Sequence, residues 1–281
     1  MKNNKVIVIS GFSRGGTNLL WNILQSHPQI CSVRYETGTM FRKRRHNFSR
    51  VISVLRKTGL LRKPIGKSIL DYQFYRYKLS NFSHEENRYK FEDEIYTKDE
   101  VKNCALCFKS TDLDINYTSL LSEMYPQLYF IGLTRNGYAV AEGHYRRGES
   151  ITDFAKQYQQ VAEKMKLLSD KLDNFKLVRF EEMLNDPFHL AKDLYEYLDC
   201  EPVELNKLRL KSKKVIKKDG AHEEIYGKPG SKYWFDTETI KDLIKPDVNN
   251  NQIKNLNSKQ ISEFNSIAKD ALSYFGYQVN K

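Results

Sequence analysis

The stretch Val6-Ile7-Val8-Ile9-Ser10-Gly11-Phe12-Ser13-Arg14-Gly15-Gly16-Thr17-Asn18-Leu19-Leu20 decides how this chain of 281 residues folds. It opens with four apolar β-branched residues, too short and too rich in β-formers for a helix, so they read as a buried parallel strand. A loop with three glycines in six residues follows, and then a helical pattern with Leu20, Ile23 and Leu24 on one face beside Trp21. Strand, glycine loop and helix together offer bare backbone N–H groups and a positive helix end to a phosphate. Glycines suit such a loop because a Cβ would hold the phosphate off the amides. The same residues also suit an ordinary strand–turn–helix corner with no ligand.

The loop is close to a Walker A element and departs from it at two places. Gly11 and Gly16 have the separation of G-x-x-x-x-G-K-[ST], but Thr17 stands in place of the lysine and Asn18 in place of the Ser or Thr. A kinase or ATPase needs that lysine on the β/γ-phosphates and that hydroxyl on Mg²⁺. Here the cation sits inside the loop, at Arg14. The pattern argues for a phosphate held without a metal and against a magnesium-dependent P-loop kinase.

Hydrophobic content of 40% and charged content of 29% describe a globular protein with a full core. No apolar run reaches membrane-spanning length. Met1-Lys2-Asn3-Asn4-Lys5 leads straight into the first strand without an apolar leader segment, so the expected location is cytoplasmic. The four cysteines are too scattered for a disulfide framework, and Cys104 and Cys107 lie in an expected strand, where they read as core. The six histidines form no ligand-spaced cluster, so no metal is expected. Net charge is +11, and it is concentrated: residues 42–67 hold ten Lys or Arg and no acid, leaving one positive charge for the rest of the chain. Phe48, Val51, Ile52 and Leu55 have helical spacing there, which predicts an amphipathic helix with a cationic outer face. That face reads either as a surface for anionic acceptors, phosphates or lipid headgroups, or as a solvated helix face.

Further along, residues 30–40 read as a strand or extended loop, and residues 71–98 as a helix or two inside an insertion. Regular α/β alternation then returns. Strands are expected over Cys104–Phe108, Leu128–Leu133 and Phe175–Phe180, with helices between them and a final helix carrying Ile261, Phe264, Ala268, Leu272 and Phe275. The expected fold is a single α/β domain over residues 1–281, with a mostly parallel central sheet flanked by helices. Its parts are a phosphate-loop unit (5–28), a basic and aromatic insertion (40–100), an α/β core (104–200) and a C-terminal loop and helix (201–281). Ligands of such sheets bind at the C-terminal strand edge. Arg14, Lys109 and Arg135 are each expected just beyond a strand's C-terminal end, a trio that implies a polyanionic ligand.

These residues resemble the sulfotransferases that use 3′-phosphoadenosine 5′-phosphosulfate (PAPS). Gly11-Phe12-Ser13-Arg14-Gly15-Gly16-Thr17-Asn18-Leu19-Leu20 resembles the family's 5′-phosphosulfate loop, and Leu24-Gln25-Ser26-His27-Pro28 continues the likeness. Ile131-Gly132-Leu133-Thr134-Arg135-Asn136-Gly137-Tyr138 resembles its 3′-phosphate segment. Val178-Arg179-Phe180-Glu181-Glu182-Met183-Leu184-Asn185-Asp186-Pro187 resembles the segment after its fourth strand. The resemblance implies a P-loop-NTPase-like sulfotransferase fold and a sulfuryl donor, PAPS, used without metal. It implies that the amides of residues 15–18 (Gly15, Gly16, Thr17, Asn18), the Arg14 side chain and the Thr17 hydroxyl hold the 5′-phosphate and sulfuryl group, and that Arg135 binds the 3′-phosphate. The serine usual eight residues after that arginine is Gly143 here, for which Tyr138 or a backbone amide could substitute. Lys228, Gly230 and Lys232 lie in a segment that hints at the family's nucleotide-covering loop.

The family's cytosolic members carry a histidine base two residues after the lysine; here that segment is Lys109-Ser110-Thr111. Glu36 instead stands where Golgi-type carbohydrate and tyrosylprotein sulfotransferases carry a glutamate base, and Lys109 resembles the latter group's catalytic lysine. The other reading of Glu36 is a surface salt bridge to neighbouring arginines. The expected function is therefore transfer of a sulfuryl group from PAPS to an acceptor hydroxyl, with Glu36, Lys109 and Arg14 as catalytic residues. The acceptor is expected to be a glycan or other large anionic molecule, with membrane-surface contact through residues 42–67 and no nucleic acid partner. The alternative is a non-catalytic basic module that binds a polyanion or membrane and keeps a degenerate nucleotide site, as Gly143 would suggest.

Overall fold

Val6 and Val8 point into one buried apolar cluster and Ile7 and Ile9 into another, on the opposite side of the same strand. A strand buried on both faces must lie inside a layered α/β structure, and that is its place here. The computed structural model describes residues 5–33, 36–41, 47–91, 94–211, 215–216, 222–223 and 231–280. Strand β1 (Val6–Gly11) leads through the glycine loop into helix α1 (Thr17–Leu24) and a short strand β2 (Ile30–Ser32). Three helices follow: α2 (Thr37–Phe41), α3 (Asn47–Lys57) and α4 (Pro64–Phe82). The regular part then runs β3 (Ala105–Thr111), α5 (Asn116–Met124), β4 (Leu128–Thr134), α6 (Gly137–Tyr145), α7 (Ile151–Ser169) and β5 (Phe175–Arg179).

The five strands form one parallel sheet in the order β2-β3-β1-β4-β5. β1 is central, with Ile9 opposite Lys109 of β3 on one side and Ile131 of β4 on the other. After β5 come α8 (Phe180–Asn185), α9 (Pro187–Tyr197), an antiparallel ribbon of β6 (Leu208–Lys211) with β7 (Lys232–Phe235), and helices α10 (Val248–Ile253) and α11 (Ser258–Tyr274). Asp186 caps α9 by accepting the His189 amide at 2.9 Å, with Pro187 in its first turn.

Three expectations need correction. Residues 30–40 are not uniformly extended: β2 ends at Ser32 and Thr37–Phe41 is helical, because the Thr37 hydroxyl donates to Ser110 Oγ (2.8 Å) and Gly38 packs against Asp114. Lys109 lies within β3 rather than beyond it. Val51 of the amphipathic helix, expected inward, is exposed, whereas Ile52 is buried. Cys104 and Cys107 are both core residues, as expected: Cys104 joins the cluster of Val6 and Val8, and Cys107 that of Ile7 and Ile9.

Phe12 anchors the glycine loop to this frame. Its ring stacks on Tyr158 of α7 (centroids 4.3 Å apart, 13° between planes) and meets Phe154 and Phe275 edge-on. Emptying such a site removes both apolar burial and a stacked partner. Phe12→Ala is expected to cost about 3–5 kcal/mol of stability, read from urea unfolding monitored by circular dichroism; a loss below about 1 kcal/mol would show that Phe12 does not hold the loop down.

Candidate active site

The loop between β1 and α1 hides its carbonyls and presents its amides. The Phe12 carbonyl accepts from the Gly15 amide (2.9 Å), and the Gly16 carbonyl from the Leu19 and Leu20 amides (2.9 and 3.2 Å). The Ser13 carbonyl lies 3.1 Å from His144 Nε2, and the Arg14 carbonyl accepts from Arg135 Nη1 at 2.8 Å. His144 is itself held by Glu149, 2.8 Å from its Nδ1, and stacks on Phe154. The Ser13 amide donates to Asp112 Oδ1 (2.9 Å), which also accepts from Gln157; burial pushes the Asp112 carboxyl up from its ordinary value. With its neighbours clamped on both sides, Arg14 adopts φ +68°, a left-handed conformation that a non-glycine residue holds only at a cost. Gly16, at φ +95°, has a further reason to be glycine, since a Cβ there would lie 2.3 Å from the Phe180 ring. The amides of Gly16, Thr17 and Asn18 open α1, where a helix leaves its N–H groups without internal acceptors. The Gly15 amide, expected among the phosphate ligands, is instead spent within the loop.

Arg135, just past β4, is the second fixed point. Its Nε donates to Asn249 Oδ1 (2.7 Å), its Nη2 donates to Gln252 Oε1, and the guanidinium lies 4.4 Å from the Phe180 ring centroid. Burial lowers its pKa to about 10 against the opposing pull of Glu181, so it stays a cation at neutral pH. Asn249 and Gln252 belong to α10, which carries no apolar period strong enough to be read from sequence. That helix is docked through carboxylates: Asn249 donates to Glu181 and Gln252 to Glu142 (2.9 Å), while the Tyr277 hydroxyl closes on Glu181 at 2.8 Å.

These elements surround a cavity of about 730 Å³. Five expected residues line it: Arg14, Gly16, Thr17, Asn18 and Arg135. So does Gly143, where an added Cβ would meet nothing closer than Gln252 Nε2 at 3.6 Å. Arg146, Lys211 and Lys245 also line it and were not anticipated. Arg146 follows one helical turn after Gly143, a spacing that could have flagged it; Lys211 and Lys245 come from segments with no sequence link to the loop. Among the described residues, five cations and the carboxylate of Asp242 line this cavity, a charge balance that favours an anionic ligand.

Lys109 and Glu36 meet beside the loop. Lys109 Nζ lies 2.7 Å from Glu36 Oε1 and 2.5 Å from Asn18 Oδ1, and 5.2 Å from the Trp21 ring centroid. The bond to Asn18 Oδ1 leaves Asn18 Nδ2 as that side chain's donor. Thr111 Oγ1 approaches Glu36 Oε2 at 3.4 Å. Lys109 is buried while Glu36 is 40% exposed, so the carboxylate is the open end of the pair. A second cavity, about 320 Å³, begins at Glu36 and is lined by Thr39, Thr111, Asp112, Asp114 and Gln157 among others, with no cation among the described residues of its wall.

Two expected residues are not brought here. Lys232 donates to Gln25 and Asn87 at the far end of α1 from the loop. The Tyr138 hydroxyl, a candidate for replacing the missing serine, is used inside the core: it donates to Asn265 Oδ1 (2.6 Å) and accepts from the Asn280 amide. Lys228 and Gly230 lie outside the described residues.

The model of a family described as the sulfotransferase family matches residues 6–204. Among solved structures, the sulfotransferase domain from the curacin biosynthetic pathway is 15% identical with a TM-score of 0.57, over 98% of this chain and 99% of that one. The sulfotransferase domain of the Synechococcus PCC 7002 olefin synthase is 15% identical with a TM-score of 0.54, over 99% and 96%. No curated protein matches in sequence. At such identity the two structures share a fold with this chain, and the family match supplies the rest. With its glycine loop, five-stranded parallel sheet and matched core, this chain belongs to the sulfotransferase family.

Proposed function

We propose that this chain transfers the sulfuryl group of PAPS to an acceptor hydroxyl, with Glu36 as the base and no metal ion. One observation carries the reading: the Lys109 ammonium bridges the Glu36 carboxylate and Asn18 of the phosphate loop, setting base and loop one side chain apart. The donor supplies a sulfuryl group on a phosphate leaving group. The residues present fit such a molecule, since loop amides and five cations face one cavity large enough for a nucleotide.

On this reading the Gly16–Asn18 amides and Arg14 hold the 5′-phosphosulfate, and Arg135, Arg146 and Gln252 stand on the side of Gly143 for the 3′-phosphate. Glu36 accepts the acceptor's proton as the new S–O bond forms. Lys109 and Arg14 stabilise the charge that grows on the bridging phosphate oxygen as the old S–O bond breaks. The transferred group carries less charge than a phosphoryl group, which suits a loop with Thr17 and Asn18 in place of the metal-supporting pair. The described residues of the Glu36 cavity wall include Asp112 and Asp114, which favours an acceptor that presents its hydroxyl on a neutral or cationic stretch. Any anionic part of the acceptor sits elsewhere.

Two measurements test this. Glu36→Gln is expected to lower turnover with PAPS about 10²–10⁴-fold, the usual worth of a general base, while calorimetric affinity for adenosine 3′,5′-bisphosphate changes little; turnover kept within threefold would remove Glu36 from the mechanism. Gly143→Ser adds a hydroxyl beside Arg14 and Gln252 without a close contact. It is expected to tighten adenosine 3′,5′-bisphosphate by about 1.5 kcal/mol, roughly tenfold, and to leave adenosine 5′-monophosphate unchanged. Equal gains for both nucleotides would show that residue 143 does not face the 3′-phosphate.

A further inference from the structure

The surface from Arg50 to Ile65 combines exposed aliphatic side chains with cations. Val51 and Val54 of α3 are 44% and 59% exposed; Leu60 and Ile65, in the turn to α4 and its first residues, are 46% and 66% exposed. Between them stand Arg50, Lys57, Arg62 and Lys63, all exposed. Leu61 is buried and pins the turn, so its neighbours are displayed rather than loose. Single exposed aliphatics are ordinary on a folded protein. Four along fifteen residues, with no acid anywhere in residues 42–67, are not. The acids that reach this surface come from outside the segment: Glu123 pairs with Arg62 (2.5 Å) and Asp71 with Lys67 (3.0 Å).

We propose that this face docks on an anionic lipid bilayer, with Val51, Val54, Leu60 and Ile65 entering the interface and the surrounding Lys and Arg meeting the headgroups. A soluble polyanion would use the cations and leave the aliphatic side chains in water, whereas a bilayer that is anionic at its surface and apolar below it suits both. No described helix is long and apolar enough to cross a membrane.

The docking face also adjoins a cavity next to the one at Glu36. A cavity of about 480 Å³ lined by Arg56, Arg62, Tyr117 and Glu123 shares Leu113 and Asp114 with the cavity at Glu36. Resting on the sulfuryl-transfer reading, this shared wall assigns the acceptor hydroxyl to the headgroup region of a membrane-borne molecule.

The test is flotation of the full chain with vesicles of equimolar phosphatidylcholine and phosphatidylglycerol, against phosphatidylcholine alone. The chain is expected to float with the anionic vesicles, to lose most of that binding in high salt, and to float at least tenfold less as Leu60→Asp/Ile65→Asp. The same variant should keep its circular dichroism and its calorimetric affinity for adenosine 3′,5′-bisphosphate. Absence of flotation, or equal flotation by the variant, would overturn the docking face. Heparin binding equal in both proteins, with no flotation, would assign the surface to a soluble polyanion instead. A chain that floats but does not bind adenosine 3′,5′-bisphosphate would sink the sulfuryl-transfer reading and leave the docking face supported.

Discussion

The polarity of one loop governs this structure. An anion can approach residues 13–18 only if their carbonyl oxygens are turned away, and each carbonyl from Phe12 to Arg14 has a donor to turn it. Gly15 takes the first, His144 the second and Arg135 the third. Two of those donors come from α6 or the residues just before it, far along the chain, so the loop's conformation depends on a completed sheet. The left-handed Arg14 records the constraint, because its conformation is tolerated only where flanking bonds over-determine it. Phe12, stacked on Tyr158, ties the same loop to the aromatic core.

Around that loop the charges are sorted. Cations gather on the nucleotide-sized cavity, carboxylates on the smaller one, and Lys109 stands at the boundary with a contact on each side. Buried Glu142 and the partly buried Glu181 do not disturb this arrangement. They are occupied in holding α10 and the C-terminal Tyr277, and through α10 they aim Arg135. A pair of carboxylates that might look like spare acid–base groups therefore serves as the mount for the principal cation. The described cations Arg50, Lys57, Arg62 and Lys63 are separate again: they are exposed among Val51, Val54, Leu60 and Ile65, and Arg56 and Arg62 line a third cavity rather than either of these two.

The sheet, the loop and the family likeness were legible in local chemistry. Val6–Ile9 are β-branched and apolar on both faces, the glycines follow at once, and β3, β4 and β5 repeat the alternation, so local chemistry and period agreed with the fold. Arg14, Thr17, Asn18 and Arg135 were legible because each sits at a fixed offset from a strand end. Tertiary structure alone decided what those residues touch. Lys211, Lys245 and Gln252 reach the cavity, and Asn249 reaches Arg135, from segments with no periodic signal; Lys232 is turned away to Gln25, and the Tyr138 hydroxyl is consumed in the core. The reason is physical: backbone period and turn chemistry act over a few residues, whereas the partner of a buried polar atom is chosen by whichever donor or acceptor the completed packing leaves within about three ångströms.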